Sequence, residues 1–94
     1  MTQPRAAFHA IVHGRVQGVA FRYYARDFAR RQNITGWVKN RGDGTVEVYA
    51  EGVRADLALF ESWLHEGPPA ARVSRVDVRR PSVLRHFPRF TVEF

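Results

Sequence analysis

Cysteine is absent from all 94 residues. That excludes disulfide bonds, a thiolate nucleophile and any zinc site built on sulfur. Secreted domains of this size often need disulfide staples, so the expectation is a cytoplasmic protein. Long apolar runs are absent too. None approaches the roughly 20 residues that a spanning helix requires, and residues 1–7 lack the apolar segment of a signal peptide. No membrane partner is therefore expected. Lysine is nearly missing: Lys39 stands alone among 15 basic residues, and the rest are arginine.

The formal net charge of +6 suits an anionic partner such as nucleic acid, acidic lipid or a phosphorylated small molecule, although a solvated basic surface is the plainer reading of most of these arginines. The hydrophobic share of 45% and the aromatic share of 13% suffice for one core and argue against disorder. The length allows a single domain over residues 1–94.

Periodicity divides the chain. Phe8, Ala10 and Val12 alternate with His9, Ile11 and His13, which predicts a strand over residues 7–13. Phe21, Ala25, Phe28 and Ala29 form one stripe, which predicts a helix over 19–32 with Arg26, Arg30 and Arg31 off the stripe. Strands are expected at 34–40 and 45–51, joined by a turn at Arg41-Gly42-Asp43-Gly44, where Asp43-Gly44 is a strong hairpin signal. In the second of these strands Val46, Val48 and Ala50 alternate with Glu47, Tyr49 and Glu51. Val53, Leu57, Phe60 and Leu64 predict a helix over 53–65, ended by Gly67 and two prolines. Strands at 73–78 and 90–94 follow. The order βαββαβ, with a short fifth strand at the end, is the α+β ferredoxin-like sandwich, an antiparallel sheet with two helices on one face. Many activities use that fold, so function must come from a site.

Familiar catalytic signatures are missing: there is no Walker-type phosphate loop, dinucleotide fingerprint or nucleophile elbow. His9 and His13 lie four apart on a strand with no third ligand evident, so no metal is expected. His65 and His86 read as ordinary surface or helix-end residues. Arg41-Gly42-Asp43 spells an adhesion tripeptide, which the hairpin explains better.

What remains is Gly14-Arg15-Val16-Gln17-Gly18-Val19-Ala20-Phe21-Arg22. Here a strand ends in a glycine turn and a helix begins without Ser, Thr or Asp to cap it. Successive N–H groups in such a turn can form an anion cradle, and Arg22 can fork two donors onto the same anion. A plain connection with Arg22 in solvent is the competing reading of this stretch by itself.

The stretch resembles the signature of the acylphosphatase family, Gly-x-Val-Gln-Gly-Val-x-Phe-Arg, at every fixed position. A second family segment, Gly-x-Val-x-Asn-x-x-Asp-Gly-x-Val-Glu, is matched from Gly36 to Glu47. The resemblance covers nearly the whole chain and implies a hydrolase of acyl phosphates. It implies catalytic roles for Arg22 and Asn40, and phosphate binding by the backbone amides of Gln17, Gly18, Val19, Ala20 and Phe21. It implies a monomer without cofactor or metal, acting on a small-molecule acyl phosphate, with inorganic phosphate as product and inhibitor. An acyl phosphate already carries a good carboxylate leaving group, so holding the phosphoryl oxygens and aiming water could suffice. RNA-recognition modules share the fold, but their aromatic strand pattern is absent, and no nucleic-acid partner is expected. A non-catalytic or carbamoyl-transfer accessory module is a third reading.

Overall fold

Hydrophobic alternation and helical periodicity both translate into layers. The computed structural model describes residues 4–94; Met1, Thr2 and Gln3, which begin the stretch read for a signal peptide, lie outside the described residues. Strand β1 (Arg5–Arg15) leads to helix α1 (Phe21–Arg31), then β2 (Thr35–Asn40), β3 (Val46–Val53), helix α2 (Arg54–Glu66), β4 (Arg72–Arg79) and β5 (Phe90–Glu93). The sheet order is β4-β1-β3-β2-β5.

Two expectations change in detail. Helix α1 begins at Phe21 rather than at residue 19, because Ala20 takes the left-handed conformation (φ 61°). The sheet is antiparallel through β4, β1, β3 and β2, but β5 lies parallel to β2. The reason is the return path: the chain leaves β4 at one edge and enters β5 at the other, so the last strand joins β2 with no hairpin to set it antiparallel.

Both helices cover one face, α1 over β2 and β5 and α2 over β1, β3 and β4. Between the layers lie Phe8, Val12, Phe21, Val38, Val48, Leu64 and Phe90, all at most 2% exposed. Phe60 is the hub of this core, with ring centroids 5.9 Å from Phe8, 5.6 Å from Phe28, 6.2 Å from Trp63 and 5.6 Å from Phe90. Burying a side chain of this type stabilises by about 1.5–3 kcal/mol.

The opposite face is only partly open. Glu51 was expected on the polar side of β3, yet it is 1% exposed. Its carboxylate accepts the Tyr49 hydroxyl at 2.6 Å, the Arg85 backbone N–H, and the His86 backbone N–H at 2.9 Å. The 80–89 connection is thereby tied across the outer face of the sheet, with Phe87 edge-on to Tyr49 at 5.5 Å. His86 is consequently more than a surface residue: its backbone has φ 61° and forms half of this tie.

Candidate active site

Three pieces of chain converge at one end of the sheet: the connection after β1, the first turn of α1, and the β2–β3 hairpin. In the connection Gly18 has φ 74° and Ala20 φ 61°. For alanine that conformation costs about 1–2 kcal/mol, and it turns the chain so that consecutive N–H groups can face one side. Helix α1 starts immediately afterwards with no side-chain cap and no acidic residue in its first turn. Among the described residues, no hydrogen bond engages the N–H groups of Gln17, Gly18, Val19, Ala20 or Phe21. Five donors at the positive end of a helix dipole thus have no protein partner among the described residues.

Arg22 sits in the first turn, half-buried. Its guanidinium lies 4.9 Å from the centroid of the Phe94 ring and 3.4 Å from the Glu93 carbonyl oxygen. These contacts anchor it without neutralising it. Arg26, Arg75 and Arg80 reach carboxylates at 2.9–3.1 Å, whereas Arg22 has no carboxylate partner among the described residues.

Asn40 is the last residue of β2, opposite Val46. It is half-buried and lines an open cleft of about 500 Å³ together with Lys39, Arg41, Gly42, Glu47 and Phe94. Phe94 therefore borders both Arg22 and Asn40. Glu47, the carboxylate in the cleft, is occupied by His9 at 2.6 Å and Lys39 at 3.8 Å. The hairpin itself is held by Asp43, which accepts the Thr45 backbone N–H at 3.0 Å. The Thr45 hydroxyl bonds the same carboxylate, and these bonds hold Asp43 below the usual carboxylate range. The expected turn at Asp43-Gly44 is thus present, with Gly44 at φ 90°.

One residue has a role that sequence reasoning missed. The side-chain amide of Gln17 donates to the Arg41 carbonyl at 2.8 Å and to the Thr45 carbonyl at 2.9 Å. It straps the loop with the free amides to the hairpin that carries Asn40. The available signal was a long side-chain amide between two structural segments, which cannot disclose its partners before the fold is known.

His9 and His13 do face the same way, but each has its own acid: Glu47 for His9 and, at 2.9 Å, Asp77 for His13. Among the described residues no three His, Asp or Glu side chains gather as a metal site would require.

The family model described as acylphosphatase matches residues 8–92. The chain belongs to the acylphosphatase family. It is 51% identical over 75 residues to an acylphosphatase of a Nocardioides species, covering 80% of this chain and 76% of that one. It is 44% identical over 90 residues to an acylphosphatase of Pelotomaculum thermopropionicum, covering 96% and 98% of the two chains. The solved structure of an acylphosphatase from Coxiella burnetii superposes with a TM-score of 0.92 at 41% identity, over 99% of this chain and all of that one. Hydrolysis of acyl phosphates follows from family membership, and the chain is an enzyme of that class. No helix is long and apolar enough to cross a membrane among the described residues.

Proposed function

We propose that this enzyme works by direct attack of water on phosphorus. The 17–21 amides and Arg22 hold the phosphoryl oxygens, and Asn40 aims the water. The observation that carries this reading is the uncapped start of α1, where among the described residues N–H groups without a protein partner stand beside an arginine without a carboxylate partner. Such a cluster, open to solvent on one side, is well matched to a phosphoryl group.

The chemistry follows from these parts. Water forms the new P–O bond as the bond from phosphorus to the acyl oxygen breaks. The carboxylate leaves with the bonding pair, and the attacking water's protons pass to phosphate and solvent. Charge on the peripheral oxygens meets donors already in place, which is where most electrostatic stabilisation arises. Asn40 can accept a hydrogen bond from the water through its side-chain oxygen, but an amide is no base at neutral pH, so its role is orientation. Because the leaving group is already a stable carboxylate, the scheme needs neither a metal nor an acid. Inorganic phosphate, the product, fits the same cradle and competes for it. The scheme needs no residue from a second copy and is written for a monomer, and the lack of cysteine supports a cytoplasmic enzyme.

Benzoyl phosphate in excess chelator tests the scheme. Turnover should persist, and inorganic phosphate should inhibit competitively while shifting the amide resonances of residues 17–22. Loss of turnover with chelator, restored by magnesium or zinc, would refute the metal-free scheme. Phosphate shifts confined to Arg79, Arg80 and Arg85 would misplace the cradle.

A further inference from the structure

The outer face of the sheet, opposite the helix layer, carries a second cavity, whose lining shares no residue with the cradle. Its floor is one row of cross-strand neighbours. Arg79 on β4 pairs with His9 on β1, His9 with Tyr49 on β3, and Tyr49 with Trp37 on β2. Residues directly opposite one another project from the same face. The row therefore runs about 14 Å, three strand spacings of about 4.8 Å, from a guanidinium at one end to an indole at the other. Trp37 and Tyr49 lie nearly parallel, at 22° and 6.3 Å between centroids, and His9 meets the Trp37 ring edge at 6.3 Å. The 80–89 connection forms the roof and contributes Phe87 and Arg85. The cavity measures about 790 Å³, within the range of small-molecule sites.

The charges are placed unevenly. Arg80, also on the rim, is neutralised by two hydrogen bonds to Glu61, both at 2.9 Å. The side chains of Arg79 and Arg85 have no carboxylate partner among the described residues. Glu51 lies beneath the roof, but its oxygens are taken by Tyr49 and by the backbone of Arg85 and His86. Glu47 is paired with His9. What is left is an aromatic floor with two uncompensated guanidinium groups.

We propose that this cavity binds a planar aromatic molecule bearing a phosphate monoester, of the nucleoside monophosphate class. The ring stacks on Trp37. The phosphate, with a charge of roughly −1.5 to −2 at neutral pH, is held by Arg79 and Arg85, whose forked donors suit its oxygens. One guanidinium would balance a carboxylate; two match a dianion. The tie from Glu51 fixes the roof through the backbone of Arg85, so the Arg85 side chain stays free to bind. The inference stands apart from the reading of the cradle, because it uses none of the same residues.

Adenosine 5′-monophosphate titrated into the full chain tests it by amide and indole resonances, with excess inorganic phosphate present to fill the cradle. Shifts should centre on His9, Trp37, Tyr49, Arg85 and Phe87, and Trp37 emission should change. Adenosine alone and phosphate alone should each bind this face at least tenfold more weakly. Arg85→Ala should weaken binding by about tenfold, the order of one charge-assisted pair, and Trp37→Leu by about tenfold or more, the order of one stacked base. Acetyl phosphate turnover should be unchanged in both. Shifts confined to residues 17–22, equal binding of adenosine, or indifference to both substitutions would overturn the assignment. Binding only by a longer oligonucleotide would overturn it too. So would concentration-dependent broadening of this row without nucleotide, which would give the face to a second copy of the chain.

Discussion

Replacing Gln17 by methionine removes two donors while keeping the length of the side chain. The cost can be worked from the hydrogen bonds around it. The Thr45 carbonyl also accepts the Arg41 N–H at 2.8 Å, and the Arg41 carbonyl also accepts the Gly44 N–H at 3.2 Å. Neither oxygen is orphaned when the amide goes, so the large penalty for a buried unsatisfied group does not apply. Two ordinary net hydrogen bonds remain to be lost, about 0.5–1.5 kcal/mol each, and partial solvation of the half-buried site favours the lower half. The expected loss is therefore about 1–2 kcal/mol, which for a domain of this size lowers Tm by about 5–15 °C. The effect on catalysis should exceed the effect on stability, because the strap sets the distance between the 17–21 amides and Asn40. A misplacement near 1 Å can cost up to about 100-fold in rate, and we expect a fall of roughly 10–100-fold in kcat/KM at a temperature where the variant is fully folded. Gln17→Glu should be worse, because a carboxylate would face two carbonyl oxygens and the incoming phosphate. Melts and benzoyl phosphate kinetics on the same samples check this. A Gln17→Met enzyme with less than a twofold change in kcat/KM would refute the strap, whatever its Tm.

Other outcomes follow from the same geometry. Arg22→Ala should weaken inorganic phosphate binding and lower turnover by about 100-fold or more, in line with losing one transition-state donor; Arg22→Lys should recover only part, since an ammonium lacks the planar fork. Asn40→Ala should cut turnover by on the order of 100-fold while leaving phosphate inhibition within a few-fold, and Asn40→Asp should lose binding as well, by bringing negative charge towards the substrate. If Asn40 only supports the hairpin, its replacement will instead lower Tm and spare turnover. Burial raises the Glu51 pKa, but the Tyr49, Arg85 and His86 donors outweigh it, and the net effect is a carboxyl below its ordinary value. Its stabilisation is then complete above the unfolded pKa of about 4.3 and is lost as pH falls through the folded value, so acid melts of the wild type should fall more steeply below about pH 4.5 than those of Glu51→Gln. Burial first, and then Glu51, push Tyr49 up to about 12, so stability should also decline as pH rises from about 10 to about 12.

The helix layer was legible because apolar side chains at helical and alternating spacing have one efficient way to be buried. Of the stripe Phe21, Ala25, Phe28 and Ala29, all but the half-buried Phe28 are buried, and of Val53, Leu57, Phe60 and Leu64 the last three are buried while Val53 is half-buried at the end of β3. The start of α1 was read two residues early, since nothing in the sequence marks Ala20 as left-handed. The absence of a cap was itself legible, and it led to the free amides. The outer face was not legible. Alternation assigns Glu51 to solvent, and only a distant segment, passing from one sheet edge to the other, turns that position into a buried anchor. The direction of β5 escaped for the same reason. Gln17 was assigned through its backbone alone, because its side-chain partners lie 24 and 28 residues away.

The strand order also governs how the chain can assemble as it is made. Strand β1 emerges before both of its partners, yet it lies inside the sheet, between β3 and β4. Its nearest partner in sequence joins Val12 to Val46, and its other edge waits for Arg72 to Arg79. At roughly 5–20 residues per second of synthesis, both edges of β1 stay unpaired for some seconds, with Phe8, Ala10 and Val12 uncovered. Few of the sheet's contacts are local, which places the protein among slower-folding small domains. The β1 segment is therefore the stretch most open to chaperone capture or mispairing, well before the connection that carries Gln17 has a hairpin to fasten to.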